Sequence, residues 1–296
     1  MSDDARVPVL RIGECRETPR RAMTPNSTAT TRRVMDDAAL RGRVRAIVTR
    51  SPYPVAPARF ERLPALAIIT TSGVGCDGIP LAAVRERGIV VTHTPGVLDA
   101  AVAELAVGLL LAPLREIPAR ERHLRDGGWA RTRYPLTMGL AGECVGIVGL
   151  GRIGRIGPGI AARLAPFGME LAYRGRRPVP HAYFPDAAAL AEQVDILVVG
   201  CPGGAATRHR VDARVLAGLG QDGFLVNVAR GPAVDEAALD VFETAPLVDS
   251  PLLTMPNCVR SPHAGSATVE TRRIMLRLML DSVHRVPGGE PAPTPV

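Results

Sequence analysis

The chain has 296 residues, of which 46% are hydrophobic and 3% aromatic, and its formal net charge is +7. This composition is typical of a folded chain with room for two domains, and it excludes an intrinsically disordered one. The arginines are spread along the chain and stacking residues are few, so we predict no nucleic-acid binding.

The first residues lack the apolar core of a secretory signal, and the longest apolar stretch, 105–114, is too short to span a bilayer. We therefore expect a cytoplasmic protein that does not insert into membranes. The five cysteines are scattered without a C-x-x-C pair, which is typical of free thiols and indicates neither a disulfide framework nor a metal site.

The first third of the chain predicts βα units. Apolar runs at 7–13, 44–50 and 66–70 predict strands, and a glycine-rich turn, a helix over 80–88 and a strand over 89–94 follow. The segment between the first two runs is polar and broken by prolines. Residues 1–94 are predicted to form the N-terminal part of a substrate domain.

The middle of the chain predicts a second α/β domain, over residues 95–267. Residues 98–125 have helical spacing broken near Pro113 and Pro118, and this region could serve a dimer interface or an ordinary inter-domain core. From Val145 onward helices alternate with predicted strands, which are 145–150, 170–173, 195–200, 224–229 and 257–262. That alternation predicts a doubly wound parallel sheet. A helix over 268–286 opens the final segment, 268–296.

The glycine pattern G-x-G-x-x-G follows the first strand of this second domain. Gly149 permits a tight turn, Gly151 lets backbone approach a diphosphate, and Gly154 lets the next helix pack closely on the strand. The pattern favours a dinucleotide site, and the alternative is a plain strand–helix turn. The helix after it is predicted to start near Pro158, since proline is tolerated only in a first turn.

Arginines replace the expected carboxylate at the end of the next strand. NAD-binding folds place Asp or Glu there to hold the ribose 2′-hydroxyl, whereas this chain has Arg174, Arg176 and Arg177. Arginine suits a 2′-phosphate, so the pattern favours NADP over NAD, with NAD still possible. The alternative is a solvated arginine turn.

Two further strand ends carry side chains that could take part in catalysis. Arg230 follows a buried strand, where a fixed charge needs an anionic partner, and His263 follows the last predicted strand. A lone histidine in such a place is usually structural. If the two residues converge, Arg230 could bind a carboxylate while His263 exchanges a proton with a carbonyl. The remaining histidines are interpreted as surface or packing residues, namely His93, His123, His181, His209 and His284.

The chain resembles the D-isomer-specific 2-hydroxyacid dehydrogenases, most of all their bacterial NADPH-dependent glyoxylate/hydroxypyruvate reductase branch. The resemblance runs from about Arg50 to the C-terminus and is carried by SGVGCDGIPLAAVRERGIVVTHTPGVL, VGIVGLGRIG, GCPGGAATRH, FLVNVARGPAVDEAAL, DVFETAPL and SPHAGSATVETR. It implies a Rossmann-type domain inserted into a smaller flavodoxin-like substrate domain. It also implies a homodimer and hydride transfer between NAD(P)H and a small 2-keto acid, giving the D-2-hydroxy acid.

The resemblance also implies roles for individual residues. Arg230 would bind the substrate carboxylate and polarise its keto oxygen, His263 would be the acid/base, and the amides around Val74 and Gly75 would cradle the carboxylate. The residues implied at the cofactor are Gly149, Gly151, Arg152, Ile153, Gly154, Arg174, Arg176, Arg177, Cys201, Pro202, Thr207 and Asp240.

The chain departs from the family at the third catalytic position. The family has a glutamate in D-V-F-E-x-E-P that keeps the histidine protonated, and this chain has Ala245 there. An unperturbed histidine titrates near about 6.5 and is mostly neutral at pH 7. Glu243 lies two residues earlier and could substitute, with a shift of roughly 7 Å along an extended strand.

Two changes of length accompany this departure. Only residues 231–237 separate Arg230 from ALDVF, fewer than a parallel crossover needs, so the place of Asp240 stays open. Gly157-Pro158-Gly159 looks inserted after the glycine motif. These changes leave two hypotheses, which are a 2-keto acid reductase of reduced activity and an NADP-binding pseudoenzyme that senses nucleotide or binds a partner.

Overall fold

The computed structural model describes residues 7–12, 31–51, 53–150, 156–175, 179–201, 207, 209–229 and 258–296. The chain forms two compact units, one of Met1–Leu98 with Thr268–Val296 and one of Asp99–Ala267. The described strands are β1 (Val9–Arg11), β2 (Ala46–Arg50), β3 (Ile68–Ser72), β4 (Val90–Thr92), β5 (Cys144–Val148), β6 (Glu170–Arg174), β7 (Ala182–Tyr183), β8 (Ile196–Val199) and β9 (Phe224–Asn227). The described helices are α1 (Thr31–Asp36), α2 (Ala38–Arg43), α3 (Pro57–Phe60), α4 (Leu81–Glu86), α5 (Asp99–Leu114), α6 (Ile117–Arg125), α7 (Ile156–Leu164), α8 (Ala187–Ala191), α9 (Ala213–Leu219) and α10 (Val269–Arg285).

The first unit contains a parallel sheet in the order β1-β2-β3-β4. Successive residues of its strands point to opposite faces, so both faces can be covered. Met279 and Val283 of α10 pack with Ile68 on one face. Ile69 belongs to a separate cluster on the other face, with Phe60 as its largest member. The first unit is therefore closed by a helix that follows the second unit in sequence.

A short tail from the end of the chain pairs with β4. Thr92 and Pro295 form an antiparallel bridge, and the Val296 N–H donates to the Val91 carbonyl at 3.0 Å. The Thr294 hydroxyl donates to the carbonyl of His93 at 2.6 Å. These contacts fix the backbone just after β4.

The second unit contains a parallel sheet in the order β7-β6-β5-β8-β9. This is the 3-2-1-4-5 part of a doubly wound dinucleotide-binding sheet, in which ligands lie outside the carboxyl ends of the strands. α8 and α9 cover one face through a buried cluster that includes Leu190, Leu197 and Val215. α5 packs against α7 and β9. The α/β class predicted from the sequence is confirmed.

The prolines lie where the sequence predicts breaks. Pro113 lies in the last turn of α5, and Pro118 in the first turn of α6, with Glu116 between them in a left-handed conformation. Pro158 is the third residue of α7, a first-turn position whose N–H would have no helical partner in any case. The helix after the glycine motif thus includes Ile156 and Gly157, two residues before the predicted start.

The strand predicted over 257–262 is wrong for the residues that the structure describes. Residues 258–262 form no strand there, and His263 adopts a left-handed backbone with φ of 53°. Only Cys258 and Val259 of this segment are apolar, and the proline at its end cannot donate a ladder hydrogen bond, so its strand propensity is weak. No helix in the described ranges is long and apolar enough to cross a membrane.

Candidate functional site

The turn after β5 brings Gly149 against two other strand ends. Its φ of +110° suits glycine, and its N–H donates to the Arg174 carbonyl at the end of β6, at 2.9 Å. A methyl group on Gly149 would lie 2.7 Å from the backbone nitrogen of Cys201, which follows β8. The structure therefore places three of the predicted cofactor residues at one edge of the sheet, the carboxyl edge.

Most other predicted site residues lie outside the described part of the chain. These are Gly151, Arg152, Ile153, Gly154, Arg176, Arg177, Pro202, Arg230, Asp240 and Glu243. Thr207 is described and half-buried, while residues 202–206 and 208 on either side of it are not described.

Arg174 ends β6 with part of its guanidinium group buried. Its Nε is inaccessible to solvent and has no hydrogen-bond partner among the described residues. A buried donor without a partner costs about 1–3 kcal/mol, so an anionic ligand here would remove a real penalty. The backbone N–H of Ala189 lowers the pKa of Asp186, and the positive charge of Arg174 adds to this effect. Gly175 follows, where a methyl group would lie 2.8 Å from the Leu150 carbonyl oxygen.

The ends of β8 and β9 are buried and mostly neutral. Burial raises the pKa of the Cys201 thiol, so this residue offers packing and backbone rather than a thiolate. The Asn227 side chain accepts from the Ala229 N–H at 2.9 Å, and both residues are buried. This turn fixes the backbone up to the residue before Arg230.

His263 is half-buried and follows a tight turn. Its N–H donates to the Ser261 carbonyl at 3.0 Å, and its positive φ is a conformation that most side chains avoid. Strained backbone of this kind is often found at functional sites and persists when surrounding structure enforces it. The imidazole is thus presented from a defined turn rather than from the end of a strand.

The predicted carboxylate cradle belongs to the first unit, where Val74 and Gly75 are half-buried in the turn after β3. The turn is held from β4: the Thr94 hydroxyl accepts from the Gly73 N–H at 3.0 Å and donates to its carbonyl at 3.1 Å. His93 Nδ1 donates to the Val74 carbonyl at 3.0 Å. With its carbonyls held this way, the turn is kept in one conformation.

Sequence reasoning missed both residues that hold this turn. The sequence pattern indicates only a surface or packing role for His93, whereas its Nδ1 hydrogen-bonds the Val74 carbonyl of the cradle. The signal was available, because β3 and β4 are adjacent parallel strands and whatever follows one meets whatever follows the other.

Replacing Thr94 by valine is expected to lower the free energy of unfolding by about 1–3 kcal/mol, because the Gly73 N–H loses its partner. Thr92→Val is the matched control. Thr92 is equally buried, and its hydroxyl has no hydrogen-bond partner among the described residues, so valine there should cost nothing. Urea unfolding of both variants measures the difference. Equal losses would show that the hydroxyl of Thr94 does not hold the turn.

Comparison with known proteins adds a family match. Residues 107–265 match the model of the D-isomer specific 2-hydroxyacid dehydrogenase NAD binding domain. Glyoxylate/hydroxypyruvate reductase A HPR2 of Arabidopsis thaliana is 40% identical over 273 residues, which covers 86% of each chain. The 2-ketogluconate reductase of Gluconobacter oxydans is 39% identical over 257 residues, covering 81% of this chain and 82% of that relative.

Solved structures match over nearly the whole chain. The NADPH-dependent glyoxylate/hydroxypyruvate reductase of Sinorhizobium meliloti, solved in complex with NADP and malonate, has a TM-score of 0.85 and 38% identity. The match covers 98% of this chain and 97% of that one. A 2-hydroxyacid dehydrogenase from Ketogulonicigenium vulgare has a TM-score of 0.87 and 37% identity, with 98% of each chain covered.

Proposed function

The chain belongs to the D-isomer-specific 2-hydroxyacid dehydrogenase family, and from that premise we propose that it reduces glyoxylate or hydroxypyruvate with NADPH to the D-2-hydroxy acid. One observation carries the choice of cofactor. The Arg174 Nε is buried at the carboxyl edge of the second unit's sheet, without a hydrogen-bond partner among the described residues. A phosphate oxygen is the partner that a guanidinium group in this place suits best.

The described residues fit a dinucleotide. Gly149 turns the chain where a methyl group would strike Cys201, and Gly175 passes where a methyl group would strike Leu150. Both turns thus need glycine because their backbones lie directly against neighbouring backbone, and close-packed glycine turns of this kind are typical of dinucleotide-binding folds. The chemistry that a bound nicotinamide supplies is the hydride.

The protein's own part in the proposed reduction is to bind the acid and donate a proton. Arg230 is assigned to the substrate carboxylate and to polarising the keto oxygen, and the amides around Val74 and Gly75 are assigned to carboxylate binding. His263, as the imidazolium, gives its proton to the oxygen that becomes the hydroxyl. Asp240 is assigned to the nicotinamide amide.

The competing proposal is a cofactor-binding pseudoenzyme. It is motivated by Ala245, which stands where the family's pattern has the catalytic glutamate. In the reductase hypothesis, Glu243 is the carboxylate assigned to support His263. The two proposals agree on cofactor binding and differ only in turnover.

A homodimer is the assembly that we propose. Large apolar side chains are exposed on α6 and in the segment after it, where Ile117, Leu124, Trp129 and Leu136 are each more than half exposed. Several exposed large apolar side chains within one short stretch of sequence support a surface that is covered by a partner.

The experiment that separates the proposals has two parts. The purified protein is titrated with NADPH and NADH, and NADPH oxidation is then followed with glyoxylate and hydroxypyruvate between pH 5 and 8. The reductase proposal requires binding and turnover, with a rate that rises toward acid as His263 becomes protonated. Binding without turnover supports the pseudoenzyme. Absence of both would contradict the proposed cofactor site.

Arg174→Gln is expected to weaken NADPH binding by about 10- to 100-fold and to leave NADH binding nearly unchanged, because only NADPH carries the 2′-phosphate. Arg163→Gln is the matched control, since Arg163 lies on α7 and donates to Glu104 at 2.9 Å, an ion pair open to solvent. Fluorescence titration with each nucleotide gives the ratio of the NADPH and NADH dissociation constants for each variant. An equal loss for NADPH and NADH would assign Arg174 a structural role only.

A further inference from the structure

Gly154 and Gly157 are both candidates for the third glycine of the dinucleotide-binding motif. The residues after Gly151 read Arg152-Ile153-Gly154 and then Arg155-Ile156-Gly157, a tandem copy of three residues. Gly154 completes G-x-G-x-x-G in sequence, and Gly157 stands one copy later. A three-residue insertion can be assigned to either side of Gly154, so sequence spacing does not choose between them.

The backbone around Gly157 leaves no room for a side chain. A methyl group there would lie 2.8 Å from the Gly149 carbonyl oxygen and 3.1 Å from the Leu150 Cα. Both are backbone atoms of the turn after β5, so neither can rotate away as a side-chain end could. Gly157 is buried and is the second residue of α7. The helix therefore approaches the strand's turn as closely as two backbones can.

Two other glycines in the described part of this unit, Gly159 and Gly200, do not make this contact. A methyl group on Gly159 would meet the Ala103 side chain of α5 at 3.2 Å, a tight contact with a different element. At Gly200, after β8, the nearest atom would be 3.8 Å away, which is an ordinary distance. Among these three glycines, only Gly157 lets α7 pack directly against the Gly149 turn because it has no side chain.

Close packing of helix on strand is the task of the third glycine in a dinucleotide-binding turn, since it aims the helix amides at the diphosphate. We propose that Gly157, rather than Gly154, is the positioning residue that performs this task here. The proposal rests on the proposed cofactor binding. It assigns the extra three residues to the stretch between Gly151 and the packing glycine, which holds five residues instead of two.

Alanine substitutions test the assignment by NADPH titration. Gly157→Ala is expected to weaken NADPH binding at least about tenfold, because the methyl group pushes α7 off the Gly149 turn. Gly154→Ala is the comparison variant and is expected to weaken NADPH binding less than Gly157→Ala does. Gly108→Ala on α5 is the matched control, since its methyl group would meet no atom within 4 Å, and its NADPH dissociation constant should stay within about threefold of the unaltered chain. Equal effects, or a larger effect at Gly154, would overturn the proposal.

A deletion covers the case in which Gly157→Ala does not fold. Removing Arg152–Gly154 takes away three residues assigned to the cofactor but keeps Gly157 and restores two-residue spacing after Gly151, so NADPH binding is expected to weaken without being lost. Loss of binding in this folded deletion variant would overturn the proposal. If the unaltered chain binds neither NADPH nor NADH, the proposed function fails, and melting temperatures decide the packing role separately. A lower Tm for Gly157→Ala alone supports it, and equal Tm values overturn it.

Discussion

His263→Asn is expected to slow keto-acid reduction by about 10²- to 10⁴-fold while NADPH binding stays unchanged, because the variant keeps the turn and loses the proton donor. Asparagine is chosen because it tolerates a left-handed backbone, and His263 has a φ of 53°. Steady-state rates with glyoxylate and hydroxypyruvate, beside NADPH titration, measure the two effects separately.

The pH profile distinguishes proton donation from a structural role. Reduction needs the imidazolium, so the rate should fall as pH rises through the pKa of His263 and should become independent of pH in the variant. Histidine is the side chain whose charge ordinarily changes between pH 5 and 8, so the fall is sought in that window. His209→Asn is the matched control, since His209 also has a positive φ, of 49°. A pH-dependent rate that persists in His263→Asn would exclude His263 as the donor.

Glu243→Gln tests whether Glu243 supports the protonated form of His263. If Glu243 supports the imidazolium, this variant should move the falling limb of the profile to lower pH, because loss of a nearby negative charge lowers a histidine pKa. An unchanged limb would remove Glu243 from the mechanism.

Arg230→Gln is expected to lower kcat/KM for the keto acid by about 10²- to 10³-fold, because one fixed donor then no longer stabilises the developing alkoxide or holds the carboxylate. Its place in the chain motivates the assignment. The Asn227–Ala229 turn is buried and fixes the backbone immediately before Arg230, at the end of β9.

Separate changes in KM and kcat show whether Arg230 binds the carboxylate, polarises the keto oxygen, or does both. KM should rise from weaker carboxylate binding, and kcat should fall from weaker polarisation of the keto oxygen. Arg230→Lys keeps the charge but loses the planar fork, so partial activity is expected. Arg214→Gln, on the exposed surface of α9, controls for a change of net charge alone. An unchanged KM in Arg230→Gln would contradict the carboxylate assignment.

Much of the second unit is predictable from local sequence. The runs at β5, β8 and β9 are mostly apolar and bounded by turn residues, as buried parallel strands require. The edge strand β7 has two residues, both exposed, so no hydrophobic pattern marks it. The predicted strand over 257–262 shows the opposite error, since only Cys258 and Val259 of that segment are apolar and 258–262 form no strand.

The residues of the candidate site also fall into two groups, those that the strand pattern predicts and those that it does not. Gly149, Arg174 and Cys201 are predictable because parallel strands share an edge, and each of them ends or follows a strand. Gly157 is not, because its importance comes from a distance to the Gly149 carbonyl that composition does not carry. Thr94 could be found only once β3 and β4 are taken as neighbouring parallel strands, and its hydroxyl then meets the Gly73 turn.

The covering of β3 by α10 has a consequence for synthesis of the chain on the ribosome. Ile68 is made early, whereas Met279 and Val283, which bury it, emerge only after the whole second unit. At common elongation rates this interval is on the order of tens of seconds. Throughout it, one face of the first sheet is an exposed apolar surface that a chaperone would recognise. Substitutions that weaken α10 should therefore reduce the yield of folded protein more than the activity of the molecules that fold.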